Sequence, residues 1–166
     1  MFYSLTGQLV RKTTTLVVLD VHGVGYELLV PLPTSHNLPE CGRPVTLLTH
    51  FQVREDAQQL FGFLTEEERA LFRLLLTISG IGPKLALTVL SGLGVRELKT
   101  ALVDGNVELL TTISGIGRKT AERLVVELRE KVVVDGKVAK QQLPVGLPAN
   151  NTLVNDSLAA LLALGY

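Results

Sequence analysis

The chain has no tryptophan, one methionine and one cysteine, and only 5% of its 166 residues are aromatic. The lone Cys41 cannot form an internal disulfide, which excludes a disulfide-stapled scaffold and points to a reducing cytosol. No apolar run approaches the roughly 20 residues needed to span a bilayer, so no membrane partner is expected. The start, MFYSLTGQLVRK, lacks a basic segment followed by an apolar one, so it does not read as a signal peptide. His22, His36 and His50 are scattered without metal-ligand spacing. There is no G-x-x-x-x-G-K-[ST] segment, so the chain is not expected to hydrolyse ATP itself. No serine stands in a nucleophile elbow, and Cys41 has no neighbouring base in sequence. A binding protein without metal or cofactor is expected rather than a catalyst. Hydrophobic residues make up 46% and charged residues 19%, enough for real cores.

The net charge is zero, which does not advertise a nucleic-acid binder, but the distribution of charge matters more than its sum. Residues 77–86 read TISGIGPKLA and residues 112–121 read TISGIGRKTA. The copies lie 35 positions apart and differ only where Pro83 faces Arg118 and Leu85 faces Thr120. Each is a Gly-x-Gly turn opening a helix, which presents bare backbone N–H groups to a nearby anion. Lys84 and Lys119 fall in the first turn of the following helix, where a cation is mildly unfavourable to the helix dipole. A phosphate bound at the turn accounts for the placement. The repeat segments hold Lys84, Arg118 and Lys119 and no acid, while Glu66, Glu67, Glu68, Glu97, Asp104 and Glu108 lie outside them. Pure architecture is the competing reading, because glycine also terminates helices for conformational reasons. There is no third copy, which argues against a solenoid and for a symmetric pair gripping both strands of one duplex.

Around the repeat, three regions are legible. Segments 2–10, 14–21, 26–31, 45–53 and 58–63 read as strands, separated by turn signals at His22-Gly23-Val24-Gly25 and Leu38-Pro39-Glu40-Cys41-Gly42. Five short strands in so few residues suit a Greek-key barrel of OB type. Phe2, Tyr26, Phe51, Phe61 and Phe63 are assigned to core or interface rather than to base stacking. Thr65 with Glu68 forms a capping-box signature, followed by an apolar stripe at Leu71, Phe72, Leu74, Leu75 and Ile78. Further helices are predicted from Pro83 to about Ser91, over 95–103, from an Asn106 cap through Ile113, and over 118–131. The predicted fold class is therefore α+β and multidomain. A five-stranded OB-like barrel (1–63) precedes an all-α tandem hairpin domain (64–133). A flexible linker (134–152), broken by Pro144, Gly146 and Pro148, then leads to one amphipathic helix (153–166), the opening of an incomplete third domain. Glu55 and Asp56 at a hairpin tip read, from the residues alone, as solvated turn acids.

The paired I-S-G-I-G-x-K turns resemble helix-hairpin-helix motifs. Their combination with the barrel, with Arg54-Glu55-Asp56 at its hairpin tip and with the run GIGRKTAERL at 115–124, closely resembles the RuvA family of Holliday-junction-binding proteins. The resemblance runs over residues 1 to about 131 and resumes at 155–166, where the chain ends after one helix of the family's third domain. It implies a homotetramer, or an octamer of two, lying on a four-armed DNA junction. Phosphate contacts are implied at Ser79, Gly80, Gly82 and Lys84 of the first turn and at Ser114, Gly115, Gly117, Arg118 and Lys119 of the second, with Arg123 assisting. Glu55 and Asp56 become an acidic pin at the crossover. A RuvB-type AAA+ ATPase is the implied motor partner, docked through the third domain and hydrolysing the ATP. A general single-strand or duplex binder, and a helix-hairpin-helix repair enzyme, are the competing functions.

Overall fold

The computed structural model describes residues 2–55 and 57–139, with side chains to residue 133. Asp56, the assigned linker beyond residue 139 and the third-domain helix lie outside the described residues.

Five strands close into a barrel in the order β1-β2-β3-β5-β4, with β4 returning to pair β1. They are β1 (Ser4–Lys12), β2 (Leu16–Val21), β3 (Val24–Leu29), β4 (Pro44–Val53) and β5 (Gln58–Phe63). All neighbours are antiparallel except β3 and β5, which meet in parallel at Leu29 and Phe61. Leu9, Val17, Leu19, Leu28 and Leu47 point inward and are fully buried. The β2–β3 turn is tighter than the sequence predicts. Only His22 (φ 53°) and Gly23 (φ 85°) form it, while Val24 and Gly25 already belong to β3. Such a two-residue turn matches the twist of its strands.

The sequence predicts a plain turn between β3 and β4, but a short helix, α1 (Leu32–Asn37), stands there. Six residues carrying Pro33 show no apolar period, and α1 is fixed by tertiary contacts instead. The Ser35 hydroxyl donates to the Thr13 carbonyl at 2.6 Å, and the Thr34 hydroxyl to Glu68 at 3.0 Å.

The helical region comprises α2 (Glu66–Leu76), α3 (Pro83–Gly92), α4 (Val95–Asp104), α5 (Val107–Thr111) and α6 (Arg118–Ala139). The capping box at α2 is formed, with the Thr65 hydroxyl accepting from the Glu68 amide and the Glu68 carboxylate accepting from the Thr65 amide. Asn106 caps α5 by accepting from the Leu109 amide at 3.0 Å. The last helix is longer than predicted and enters the segment assigned to a linker. Gly136 costs roughly 1 kcal/mol in a helix interior, too little to stop a helix already nucleated.

Barrel and helices share one core. Phe61 and Phe63 of β5 are buried in the same cluster as Leu71, Phe72, Leu75 and Ile78. Residues 1–134 accordingly form one compact unit. Arg69 locks the join. It is 1% exposed. Its Nη1 donates to the Tyr3 carbonyl at 2.9 Å and more weakly to the Thr49 carbonyl, its Nη2 pairs with Glu66, and the Tyr3 ring lies 4.2 Å over its guanidinium. A buried guanidinium is tolerated only when its donors are met this completely.

Candidate nucleic-acid interface

The two repeat turns have the same backbone. Each helix before the turn tightens at its end, where Thr77 donates to Leu74 and Thr112 to Leu109. The next glycine then takes the left-handed conformation that a side chain disfavours, at φ 90° for Gly80 and 85° for Gly115. Ile81 and Ile116 follow, tucked inside the hairpins at 5% and 4% exposure. Each isoleucine amide donates back to the isoleucine three residues before it, Ile78 or Ile113, at 3.0 Å.

The second glycines serve a different purpose. Gly82 is extended (φ −90°, ψ 174°) and precedes α3 with no side-chain cap. A Cβ on Gly82 or Gly117 would meet nothing within 4 Å. Neither the backbone angles nor the packing of this chain requires glycine there. Ala86 donates to the Gly82 carbonyl and Ala121 to the Gly117 carbonyl, both at 2.9 Å. The amides of Lys84 and Leu85, and of Arg118, Lys119 and Thr120, therefore precede the hydrogen-bonded ladders of α3 and α6.

Acid placement separates these helices from the other three of the helical region. The first turn of α2 carries Glu66, Glu67 and Glu68, that of α4 carries Glu97 and that of α5 carries Glu108, while α3 and α6 carry none. The partial positive ends of α3 and α6 are left without an internal counter-charge, which is the arrangement an external anion completes.

The turns are also side by side. Arg123 of α6 donates through Nη1 to the Ser79 carbonyl at 2.9 Å. A Cβ on Gly115 would lie 2.9 Å from the Leu85 side chain, so the second turn rests against α3. Ser79, Gly80, Lys84, Ser114, Gly115, Gly117, Arg118, Lys119 and Arg123 are all exposed, and Gly82 is half-buried. Arg123 thus acts as a brace as well as a surface charge. Arg118 is not a bare cation, since its Nε donates to Glu122 at 3.1 Å. At 83% and 52% side-chain exposure this pair is weak and exchangeable for a phosphate. Glu55 is exposed at the β4–β5 tip, where the Arg54 amide donates to the Ala57 carbonyl at 2.8 Å. Asp56, the second acid of the expected pin, lies outside the described residues.

Two residues escape the sequence reading. Arg69 sits three positions before Phe72, on the buried stripe of α2, and that spacing was the available signal. Leu85, one of the two positions at which the repeat copies differ, is the surface on which the second turn rests. Among the described residues no three His, Cys, Asp or Glu side chains group as metal ligands, and no helix is long and apolar enough to cross a membrane.

The comparisons with known proteins divide the chain as the fold does. The family described as RuvA N terminal domain matches residues 1–62, and the SAM-like Helix-hairpin-helix tandem matches residues 72–130. The RuvA subunit of the Holliday junction branch migration complex from Chlorobaculum parvum is 50% identical, over 100% of this chain and 82% of that protein. Its counterpart from Syntrophotalea carbinolica is 54% identical, over 98% and 81%, and that from Methylobacillus flagellatus 51%, over 100% and 84%. With identity at this level running through both the barrel and the paired turns, the chain belongs to the RuvA family.

Proposed function

We propose that this chain is a non-catalytic DNA-binding subunit that recognises four-way junctions by their structure and, with a RuvB-type AAA+ ATPase, promotes branch migration in recombination and repair. One observation carries the reading: two adjacent, exposed turns open helices whose N-termini have neither a side-chain cap nor an acid, and lysine follows each at the same offset. Backbone amides and lysines address phosphates, which position a duplex without reading its sequence. Junctions of any sequence are bound.

Four copies around a symmetry axis would each grip one arm. The Glu55 and Asp56 tips would then converge at the crossover, where carboxylates repel phosphates and keep strands apart. A homotetramer, or two facing ones, in the cytosol is the assembly this implies. The subunit needs no cofactor of its own, since the motor hydrolyses the ATP.

Gel-shift competition among a four-way junction, linear duplex and single strand tests the reading. Preference for the junction supports it, and equal binding to all three refutes it. Lys119→Ala should weaken binding to every junction sequence and lower the log–log salt slope by about one. An unchanged slope would make Lys119 a merely solvated side chain.

A further inference from the structure

The copies of the repeat are unequal in charge. The second turn offers Arg118 and Lys119 in succession, whereas the first has Pro83 where Arg118 stands, leaving Lys84 as its single cation. Pro83 is buried, so the exchange also removes a surface position. A grip on two phosphate strands with equal geometry would be lopsided unless another element made up the difference.

The barrel supplies it. A cleft of about 230 Å³ is lined by Arg54 and Gln59 on one side and by Gly82, Pro83 and Lys84 on the other. The β4–β5 register explains why Arg54 faces the first turn. His50 pairs with Phe61 and Gln52 with Gln59 across the two strands. Alternate residues of a strand share a face, so His50 and Gln52 lie on one side, and Arg54, just past β4 with its amide extending the ladder to the Ala57 carbonyl, continues the alternation. That side is turned to the helices, because the His50 ring meets Phe72 of α2 edge-on at 5.4 Å. The long side chains lining the cleft, Arg54, Lys84 and Gln59, all carry N–H donors, and no carboxylate among the described residues lines it. The N-terminus of α3, without side-chain cap or acid, opens at the same place.

We propose that this cleft is a further phosphodiester subsite, in which Arg54 of the barrel provides the second cation of the first turn. The proposal rests on the junction-binding reading and deepens it. A DNA backbone leaving the grip of the first turn passes between Lys84 and Arg54 before it reaches the tip that carries Glu55. Attraction at Arg54 and repulsion at the next residue together define where a strand must turn. Arg54 then contributes to junction recognition rather than to duplex binding in general, because only a strand directed toward the crossover enters the cleft.

The test compares Arg54→Ala, Arg54→Lys and Lys119→Ala in the full chain, against a four-way junction and a linear duplex over a range of salt concentrations. Arg54→Ala should weaken junction binding about five- to tenfold, lower its salt slope by about one and change duplex binding less than twofold. Arg54→Lys should recover most of the loss. Junctions carrying single neutral methylphosphonate linkages localise the contact. One or two linkages near the crossover should weaken the wild type, yet cost Arg54→Ala nothing more. Wild-type affinity and slope in Arg54→Ala, or losses that multiply at every linkage, would overturn the assignment. The control separates the two claims. If Lys119→Ala weakens binding and Arg54→Ala does not, only the cleft assignment fails. If neither does, the grip by the turns fails as well.

Discussion

The first and second turns share eight of ten residues and one backbone, yet they live in different surroundings. A side chain on Gly80 would enter open space, while one on Gly115 would strike Leu85. Pro83 is buried beside the barrel, whereas its counterpart Arg118 is exposed. Exposure differs at Pro83 and Arg118, where the copies differ in sequence, and also at Gly82 and Gly117, where they do not. Pro83 and Leu85 let the inner copy dock against the barrel and support its neighbour. Arg118 and Thr120 give the outer copy a polar, charged face. The duplicated motif keeps one backbone while its side chains differ with their packing.

The strongest way to disturb this arrangement is to cut the inner copy from the barrel. Arg69→Ala removes donors to the Tyr3 and Thr49 carbonyls at the root of α2, which leads into the first turn. A loss of about 2–4 kcal/mol is expected in urea unfolding, as for other disrupted buried polar networks. A loss below about 1 kcal/mol would mean that the shared apolar core alone fixes the join.

A smaller effect sharpens the contrast between the turns. Alanine at Gly80 or Gly115 must adopt a left-handed conformation, at about 1 kcal/mol each. Gly115→Ala additionally displaces the end of Leu85 and should cost roughly 1 kcal/mol more. In a Leu85→Ala background the two substitutions should become equivalent. If they are equivalent without it, the second turn does not rest on α3.

The smallest effect is a pH dependence peculiar to the inner side. Burial, followed by the charges of Arg73 and Arg69, lowers the pKa of His50. The folded protein keeps His50 neutral, while the unfolded chain takes up a proton near pH 6.5. This contribution is complete above about pH 6.5 and is lost as the pH falls from there through the lower folded value. His50→Gln should flatten the fall in Tm between about pH 7 and 5. An unchanged pH profile would remove His50 from the balance.

Much of this was legible from residues alone. The Thr65–Glu68 box, the Asn106 cap and the Gly-x-Gly turns are local signals, and local hydrogen bonds formed where they indicated. An apolar residue between two turn glycines has only the hairpin interior to enter, which is where Ile81 and Ile116 lie. Helix α1 was not legible, since its order comes from Thr13, Glu68 and Ser91, all distant in sequence. The Arg118–Glu122 pair and the Arg123 brace depend on rotamers and on the approach of the two hairpins, which no spacing encodes. The place of Arg54 required the β4–β5 register and the docking of β5 on α2.

The central claim is that the amides opening α3 and α6 are kept uncapped for phosphate. Serine at both Gly82 and Gly117 tests it most directly. Both sites have room for a side chain and backbone angles outside the left-handed region, and serine is a favoured helix cap whose hydroxyl accepts from one of the first amides. The account predicts an unchanged or higher Tm together with at least a tenfold loss of four-way-junction affinity. Equal stability with undiminished affinity would contradict it.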